Sequence, residues 1–144
     1  MAEEKNYNLI VVYSSDREKL LMCRRLKEPY KGLSNFVGGK IEEGEDGLDA
    51  AYRELWEETS VTREQIRLTH LMDFYYALTP CRVEVYVGRL NKDVRVHGDE
   101  NQLLWLPADS NFEDMSRYAG EGNIAHIIEM IRDDIDNILP EENT

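Results

Sequence analysis

The chain has 144 residues and a hydrophobic fraction of 42%, which suits one compact domain over residues 1–144. Its formal net charge of -12 excludes a nonspecific grip on DNA or RNA, because that grip needs a basic surface. No apolar run is long enough to span a membrane and the charged start lacks a signal-peptide core, so the expected location is cytoplasmic.

The first part of the chain predicts strands separated by turns, followed by one helix. Segments 7–13, 19–25 and 36–41 are rich in β-branched and apolar residues, which is typical of strands. Between them, residues 27–35 contain Pro29 and Gly32 and are expected to form a loop. A helix is predicted over residues 47–59, with Asp46 as its N-terminal cap.

The second part predicts more strands and a closing helix. Residues 66–77 favour a strand, 83–87 alternate as in a half-buried strand, and 102–106 form a further short strand. An amphipathic helix is expected over 122–137, with isoleucines facing inward at 124, 127, 128, 131 and 135. This order of elements predicts an α/β domain whose mixed sheet has helices on both faces.

The predicted first helix carries a crowded row of acids. Glu54, Glu57 and Glu58 fall within roughly 100° of arc, away from the apolar stripe of the same helix. Carboxylates at these spacings repel one another, and Arg53 neutralises only part of their charge. A hard divalent cation would relieve this repulsion, since Mg²⁺ takes oxygen ligands. The alternative is a solvated acidic face without any site.

The glycines before the helix favour the site over the solvated face. Gly38 and Gly39 allow the backbone to approach a ligand closely, so their carbonyls could join a metal site and their amides could face phosphate. Glu45, in the loop that opens the helix, could bond back to Arg53 or reach a metal through water.

The segment GKIEEGEDGLDAAYRELWEETSV resembles the sequence motif of the Nudix hydrolases, the Nudix box. The one departure is Ser60, where the family usually has glycine, a residue suited to a left-handed helix cap. The resemblance implies a Nudix-type α/β/α sandwich with a mixed β-sheet. The matching positions are Gly39, Glu45, Arg53, Glu54, Leu55, Glu57, Glu58 and Val61.

Nudix enzymes hydrolyse nucleoside diphosphates linked to another group, so the resemblance implies metal-dependent cleavage of a phosphoanhydride bond. The implied cofactor is Mg²⁺ or Mn²⁺, which would shield the phosphate oxygens and polarise the attacked phosphorus. The implied ligands are Glu54, Glu57, Glu58, Glu100 and the backbone carbonyl of Gly38 or Gly39.

The resemblance also implies roles around the metal. Arg53 would orient the glutamates, while Lys40 and the backbone of Gly39 would lie near the phosphates. Either Glu54 or Glu100 would take a proton from the attacking water. Glu100 could equally be a plain turn residue within Gly-Asp-Glu-Asn.

The stretch LSNFVGGKIEEGE resembles the oxidised-purine nucleoside triphosphatases, which implies cleavage of a triphosphate to a nucleoside monophosphate and pyrophosphate. Asn35 would read a purine edge and Arg25 would lie on the substrate side. Tyr118 could stack on a base, although packing is as good an interpretation. Asn35 could instead cap its loop, and Arg25 could be a solvated strand-edge charge.

Other interpretations stay open. Tyr75 and Tyr76 lie at an offset from the box where dinucleoside polyphosphate hydrolases carry a tyrosine, but core packing is favoured for both. Nucleotide sugars, a non-catalytic nucleotide-binding Nudix module and an acidic interaction domain are the remaining alternatives. The histidines share no ligand spacing and are assigned no metal role. The expected partner is a small nucleotide, and family analogy allows a homodimer.

Overall fold

A computed structural model describes residues 5–27, 31–76, 80–98, 101–114, 117–118 and 123–140. Within them, most of the predicted strands and the first predicted helix appear with small changes of boundary, whereas residues 36–41 form only isolated bridges. In chain order the elements are β1 (Lys5–Tyr13), β2 (Lys19–Arg24), β3 (Ser34–Asn35), α1 (Gly47–Thr59), β4 (Thr69–Tyr76), β5 (Cys81–Arg89), β6 (Gln102–Pro107), α2 (Asn123–Asp133) and α3 (Ile135–Ile138).

The strands form one mixed sheet. Its order is β3-β2-β1-β5-β4, and β6 pairs with β2. β1 and β5 run parallel from Lys5 beside Cys81 to Tyr13 beside Arg89, whereas the other strand pairs are antiparallel. Because a parallel pair needs a long crossover, α1 and the chain around it fit between β1 and β5.

Alternate residues of β1 face opposite sides of the sheet and meet different helices. Ile10 and Val12 belong to a buried cluster with Leu55 of α1. Val11 and Tyr13 belong to the other cluster, which holds the buried isoleucines of α2. The domain is therefore an α/β/α sandwich, as predicted. Among the described helices, none combines the length and apolar content needed to cross a bilayer.

The segment before α1 places the glycine pair beside β1. It was expected to be strand-like over 36–41, and it contacts β1 through isolated bridges at Ile10–Val37 and Tyr7–Lys40. Just before it, residues 34–35 form β3 against β2, although the sequence predicted a loop there. Short pairings of this kind depend on neighbouring strands, so local sequence carries little signal for them.

Two other expectations needed correction. β5 was expected to be half-buried, but its residues 85–88 are buried, because Val85 and Val87 pack into one core cluster and Tyr86 into the other. The closing helix is broken at Asp134, whose φ of -138° is not helical, and residue 122 lies outside the described residues. The acids at 133 and 134 explain the break, since aspartate has low helix propensity and its charge opposes the dipole at a helix C-terminus.

Both ends of α1 are capped. The Asp46 carboxylate accepts a bond from the Asp49 N–H at 3.2 Å, which confirms the predicted cap. At the other end Ser60 is left-handed, with φ 67°, and its N–H bonds to the Trp56 carbonyl at 2.9 Å. The Ser60 hydroxyl donates to the His97 carbonyl at 3.0 Å. Serine thus adopts the conformation that glycine has in the family motif.

Replacing Ser60 tests the cost of this conformation. Ser60→Gly and Ser60→Ala both lose the hydroxyl bond, but only glycine escapes the steric penalty of a left-handed residue. We expect Ser60→Gly to be more stable than Ser60→Ala by about 0.5–1 kcal/mol in urea unfolding. Equal stability, or a more stable alanine variant, would show that the cap is unstrained.

Candidate active site

Arg53 lies at the centre of the acidic face of α1 and binds three glutamates. Its Nε donates to Glu45 Oε2 at 2.7 Å and its Nη2 donates to Glu45 Oε1 at 2.9 Å. Its Nη1 donates to Glu54 Oε1 at 3.0 Å and to Glu57 Oε2 at 3.2 Å. A hydrogen bond of 3.1 Å from Nη2 to the Lys40 carbonyl connects the same guanidinium to the backbone that follows Gly38 and Gly39.

Gly38 and Gly39 bring the backbone close to the carboxylates of Glu58 and Glu54. The Gly38 N–H donates to Glu58 Oε2 at 2.8 Å. A Cβ on Gly39 would lie 2.5 Å from the carboxyl carbon of Glu54, so any other residue there would displace this carboxylate. Glycine at position 39 therefore allows the Glu54 carboxylate to lie against the main chain.

Asn8 fixes the glycine pair from the other side. Its backbone N–H donates to the Gly39 carbonyl at 2.8 Å, and its side-chain Oδ1 accepts from the Gly39 N–H at 2.9 Å. A Cβ on Gly38 would lie 2.1 Å from the Asn8 carbonyl oxygen. Sequence reasoning missed Asn8. The only signal was a polar residue inside an otherwise apolar strand, YNLIVVY.

The site holds more negative than positive charge. Hydrogen bonds from Arg53 hold the pKa of Glu45 below its usual range. Burial raises the pKa of Glu54, whose side chain is 13% exposed, and Arg53 opposes that rise. The pKa of Arg53 is itself raised, chiefly by its bonds to Glu45, so the guanidinium stays charged. Arg53 therefore meets three carboxylates, those of Glu45, Glu54 and Glu57, with a single positive charge.

The α1 carboxylates form an oxygen-rich surface, although their oxygens do not all converge on one point. Among the described residues, the acidic and histidine side chains whose ligand atoms all lie within 4.8 Å of one another are His70, Asp73 and Glu84. Of these, Asp73 is already paired with His70 and with Arg82, both at 2.6 Å. Hard divalent cations choose oxygen donors, so the Glu54–Glu58 face with its adjoining backbone fits Mg²⁺ or Mn²⁺ in chemistry.

A cleft of about 290 Å³ opens beside the glycine pair. Arg25 and Asn35, the residues predicted to lie on the substrate side, both line it, and so do Gly38, Gly39 and Glu58. The Asn35 side-chain Oδ1 accepts a hydrogen bond from the Phe36 N–H at 2.8 Å. This bond is of the kind expected if Asn35 caps its loop, which was the alternative interpretation.

Among the predicted substrate-binding residues that the structure describes, Lys40 and Tyr118 do not line this cleft. Lys40 is exposed and contributes its carbonyl to Arg53. Tyr118 is buried in the core, with its ring 5.2 Å from that of Phe112, so the packing interpretation replaces base stacking. Glu100 lies outside the described residues.

The two tyrosines at the end of β4 are not core residues, as the sequence had favoured. Tyr75 is 62% exposed and Tyr76 is 39% exposed. Tyr76 also lines the cleft, where its hydroxyl accepts a bond from the Asn123 side chain. β4 is an edge strand, and its last two residues, which point to opposite faces of the sheet, are both exposed.

Comparisons with known proteins agree with this geometry. The sequence model of the NUDIX domain matches residues 6–125. The fold is similar to E. coli dihydroneopterin triphosphate pyrophosphohydrolase, with a TM-score of 0.71, 22% identity, and coverage of 92% of this chain and 99% of that one. It is similar to a C. elegans Ap4A hydrolase, with a TM-score of 0.72, 20% identity, and coverage of 90% and 97%.

A third similar structure is a bifunctional NMN adenylyltransferase/ADP ribose pyrophosphatase from Francisella tularensis, complexed with AMP and a Mn ion. The TM-score is 0.70 and the identity is 20%. The match covers 92% of this chain and 42% of that chain.

Removing the central guanidinium should destabilise the domain in a pH-dependent way. Because Arg53 lowers the pKa of Glu45 and opposes the rise at Glu54, its contribution is present above the ordinary carboxyl pKa and is lost as these groups protonate. With EDTA present, we expect Arg53→Gln to lower the free energy of unfolding by about 1–3 kcal/mol at pH 7. The difference should shrink between about pH 5 and pH 3.

Arg63→Gln is the matched control, since Arg63 pairs with Asp49 on an exposed surface. Its loss should change stability by less than about 1 kcal/mol. A loss at Arg53 that is no larger than this control, or that persists unchanged at pH 3, would mean that the guanidinium does not support the glutamates.

Proposed function

This chain belongs to the Nudix domain family and is a hydrolase of nucleotide phosphoanhydride bonds, and we propose that its substrate is a nucleoside triphosphate, cleaved to a nucleoside monophosphate and pyrophosphate. The observation that carries the proposal is the arrangement around α1. There, one arginine orients three glutamates, and a glycine pair approaches two carboxylates at the mouth of a cleft.

We assign the metal-ligating role to Glu54, Glu57, Glu58 and the carbonyl of Gly38. The Gly39 carbonyl accepts the Asn8 N–H, whereas no backbone hydrogen bond to the Gly38 carbonyl is present among the described residues. This leaves the Gly38 oxygen available. A bound Mg²⁺ or Mn²⁺ would shield the phosphate oxygens and polarise the attacked phosphorus. The acids alone would repel a polyphosphate, so the local charge argues for a cation-dependent reaction.

Glu54 is our candidate for the proton acceptor. Water attacks a phosphorus, the anhydride P–O bond breaks, pyrophosphate leaves, and the proton of the water passes to a carboxylate. Burial of Glu54 raises its pKa, which makes it a better base than an exposed carboxylate. Glu100 remains a prediction for the same role. Arg53 acts as a positioning residue, because its bonds fix the orientation of Glu54 and Glu57.

The base would occupy the cleft beside Arg25 and Asn35. The Asn35 amide still has two N–H donors beyond the bond that its oxygen accepts, and a purine edge offers acceptors for them. Arg25 brings positive charge to the rim. The argument for an oxidised purine rests only on the sequence stretch LSNFVGGKIEEGE. We therefore propose the nucleoside triphosphate class and include oxidised purine triphosphates among the substrates to be tested.

A dinucleoside polyphosphate is the second candidate, because Tyr76 is partly exposed and lines the same cleft. A second base could stack on a tyrosine at this place. A structurally similar protein is named an Ap4A hydrolase, which supports testing that class alongside.

The proposal predicts that activity depends on the α1 acids and a divalent cation. With Mg²⁺ or Mn²⁺ and a nucleoside triphosphate, Glu57→Gln and Glu58→Gln should each lower kcat/KM by about 100-fold or more, because each removes a metal-ligating oxygen. Glu64→Gln removes an equal charge from an exposed position outside the site and should retain activity. Urea unfolding of each variant separates lost catalysis from lost folding.

The same assay uses a panel of ordinary and oxidised purine triphosphates, dinucleoside polyphosphates and nucleotide sugars. The highest kcat/KM is expected for a triphosphate, and hydrolysis in ¹⁸O water would locate the attacked phosphorus. Faster cleavage of a dinucleoside polyphosphate would favour the second candidate. Metal-dependent nucleotide binding without turnover would indicate a binding module, and absence of both would leave an interaction domain.

A further inference from the structure

A cavity of about 510 Å³ lies at the opposite end of the sheet from the cleft. The cleft is lined by the start of β1 and the end of β2, whereas this cavity is lined by the end of β1 and the start of β2. α2, α3 and the end of β6 complete its walls. Its volume falls in the range of small-molecule sites, about 300–1,000 Å³. Nothing in the proposed hydrolase mechanism uses it.

Tyr13 lines this cavity, and its hydroxyl is a buried polar group. Tyr13 is 1% exposed, and its Oη has no hydrogen-bond partner among the described residues. Leaving a buried hydroxyl without a partner is costly, and such groups are rare in folded proteins. Burial raises the pKa of Tyr13 to about 12, so the phenol stays neutral and can donate a hydrogen bond.

Three basic side chains line this cavity, although the whole chain carries a net charge of -12. They are Arg17, Lys19 and Arg132, and two acidic side chains, Glu18 and Asp109, line it as well. The excess of basic over acidic groups in the lining favours an anion.

Two of these cations are held in place. The Arg132 guanidinium lies close enough to Tyr13 that its charge lowers the phenol pKa, and it donates a bond to the Ala108 carbonyl. Arg17 has a left-handed φ of 63° and donates to Asp136 Oδ1 at 3.0 Å and to the Leu139 carbonyl at 3.1 Å. The cationic walls are thus oriented by the backbone and by the closing helices.

We propose that this cavity is a second binding site for a small oxyanion, a phosphate or carboxylate group, which accepts hydrogen bonds from the Tyr13 hydroxyl and the Arg132 guanidinium. Both donors offer N–H or O–H groups to an acceptor, and a guanidinium matches the planar geometry of paired oxygens. Lys19 adds charge at the rim. The site is separate from the hydrolase cleft, so it does not depend on the proposed substrate.

A buried water is the competing occupant, since water commonly satisfies such a hydroxyl. Water needs neither Arg132 nor Lys19, whereas an oxyanion uses their charge. The two occupants therefore differ in how the cavity responds to removal of a cation and to added anions.

The test uses inorganic phosphate and, separately, acetate as probes, with EDTA present so that the α1 acids hold no metal. Each probe is titrated at constant ionic strength into ¹⁵N-labelled protein, to about 10 mM, above a dissociation constant of roughly 1 mM. We expect amide shifts at Lys19, Ala108 and Arg132 but not at Gly38 or Gly39. Tyr13→Phe should weaken binding about fivefold and Arg132→Gln about tenfold or more.

Arg63→Gln is the control, because it removes the same charge far from the cavity, and it should leave the affinity unchanged. Tyr13→Phe keeps the ring, and Arg132 is an exposed residue, so at least one variant should fold normally. Binding of phosphate alone identifies a phosphate site, and binding of acetate as well identifies a general oxyanion site. The proposal would be overturned if neither probe shifted any amide signal, or if the shifts were confined to Gly38 and Gly39. It would also be overturned if neither Tyr13→Phe nor Arg132→Gln changed the affinity for the probe.

Discussion

The guanidinium of Arg53 faces an excess of negative charge, and the rest of the site depends on that imbalance. It binds Glu45, Glu54 and Glu57 at once, while Glu58 accepts a hydrogen bond from the Gly38 N–H. One positive charge cannot neutralise the three carboxylates that Arg53 binds, so the net charge of this group favours a cation. The fold tolerates this cost because α1 buries its opposite face against the sheet, so that packing rather than charge holds the helix.

Much of this arrangement was predictable because local sequence rules determine it. Apolar spacing and a capping aspartate set the bounds of α1, and alternating strands with a closing helix indicated the sandwich. The role of Arg53 beside the glutamates followed from a motif whose residues lie within about two turns of helix, where neighbours are known from spacing alone.

The features that the sequence did not reveal depend on tertiary contacts. In the sequence Asn8 is only one polar residue in an apolar strand. It contacts Gly39 because residues 36–41 run beside β1. For Tyr118 the sequence left base stacking and packing both open, and its neighbour in space is Phe112. His70, Asp73 and Glu84 share no ligand spacing and meet only because β4 pairs with β5. Contacts between distant segments leave no periodic trace.

The most direct test of the account is Mn²⁺ binding by calorimetry, with and without a non-hydrolysable nucleoside triphosphate analogue. Wild type should bind Mn²⁺, and the analogue should tighten that binding. In Glu57→Gln combined with Glu58→Gln, affinity should fall by about tenfold or more. Asp73→Asn, which alters the other acidic cluster, should bind like wild type. Mn²⁺ uptake that the glutamate changes leave intact, or none even with the nucleotide present, would contradict the claim that α1 is a cation site.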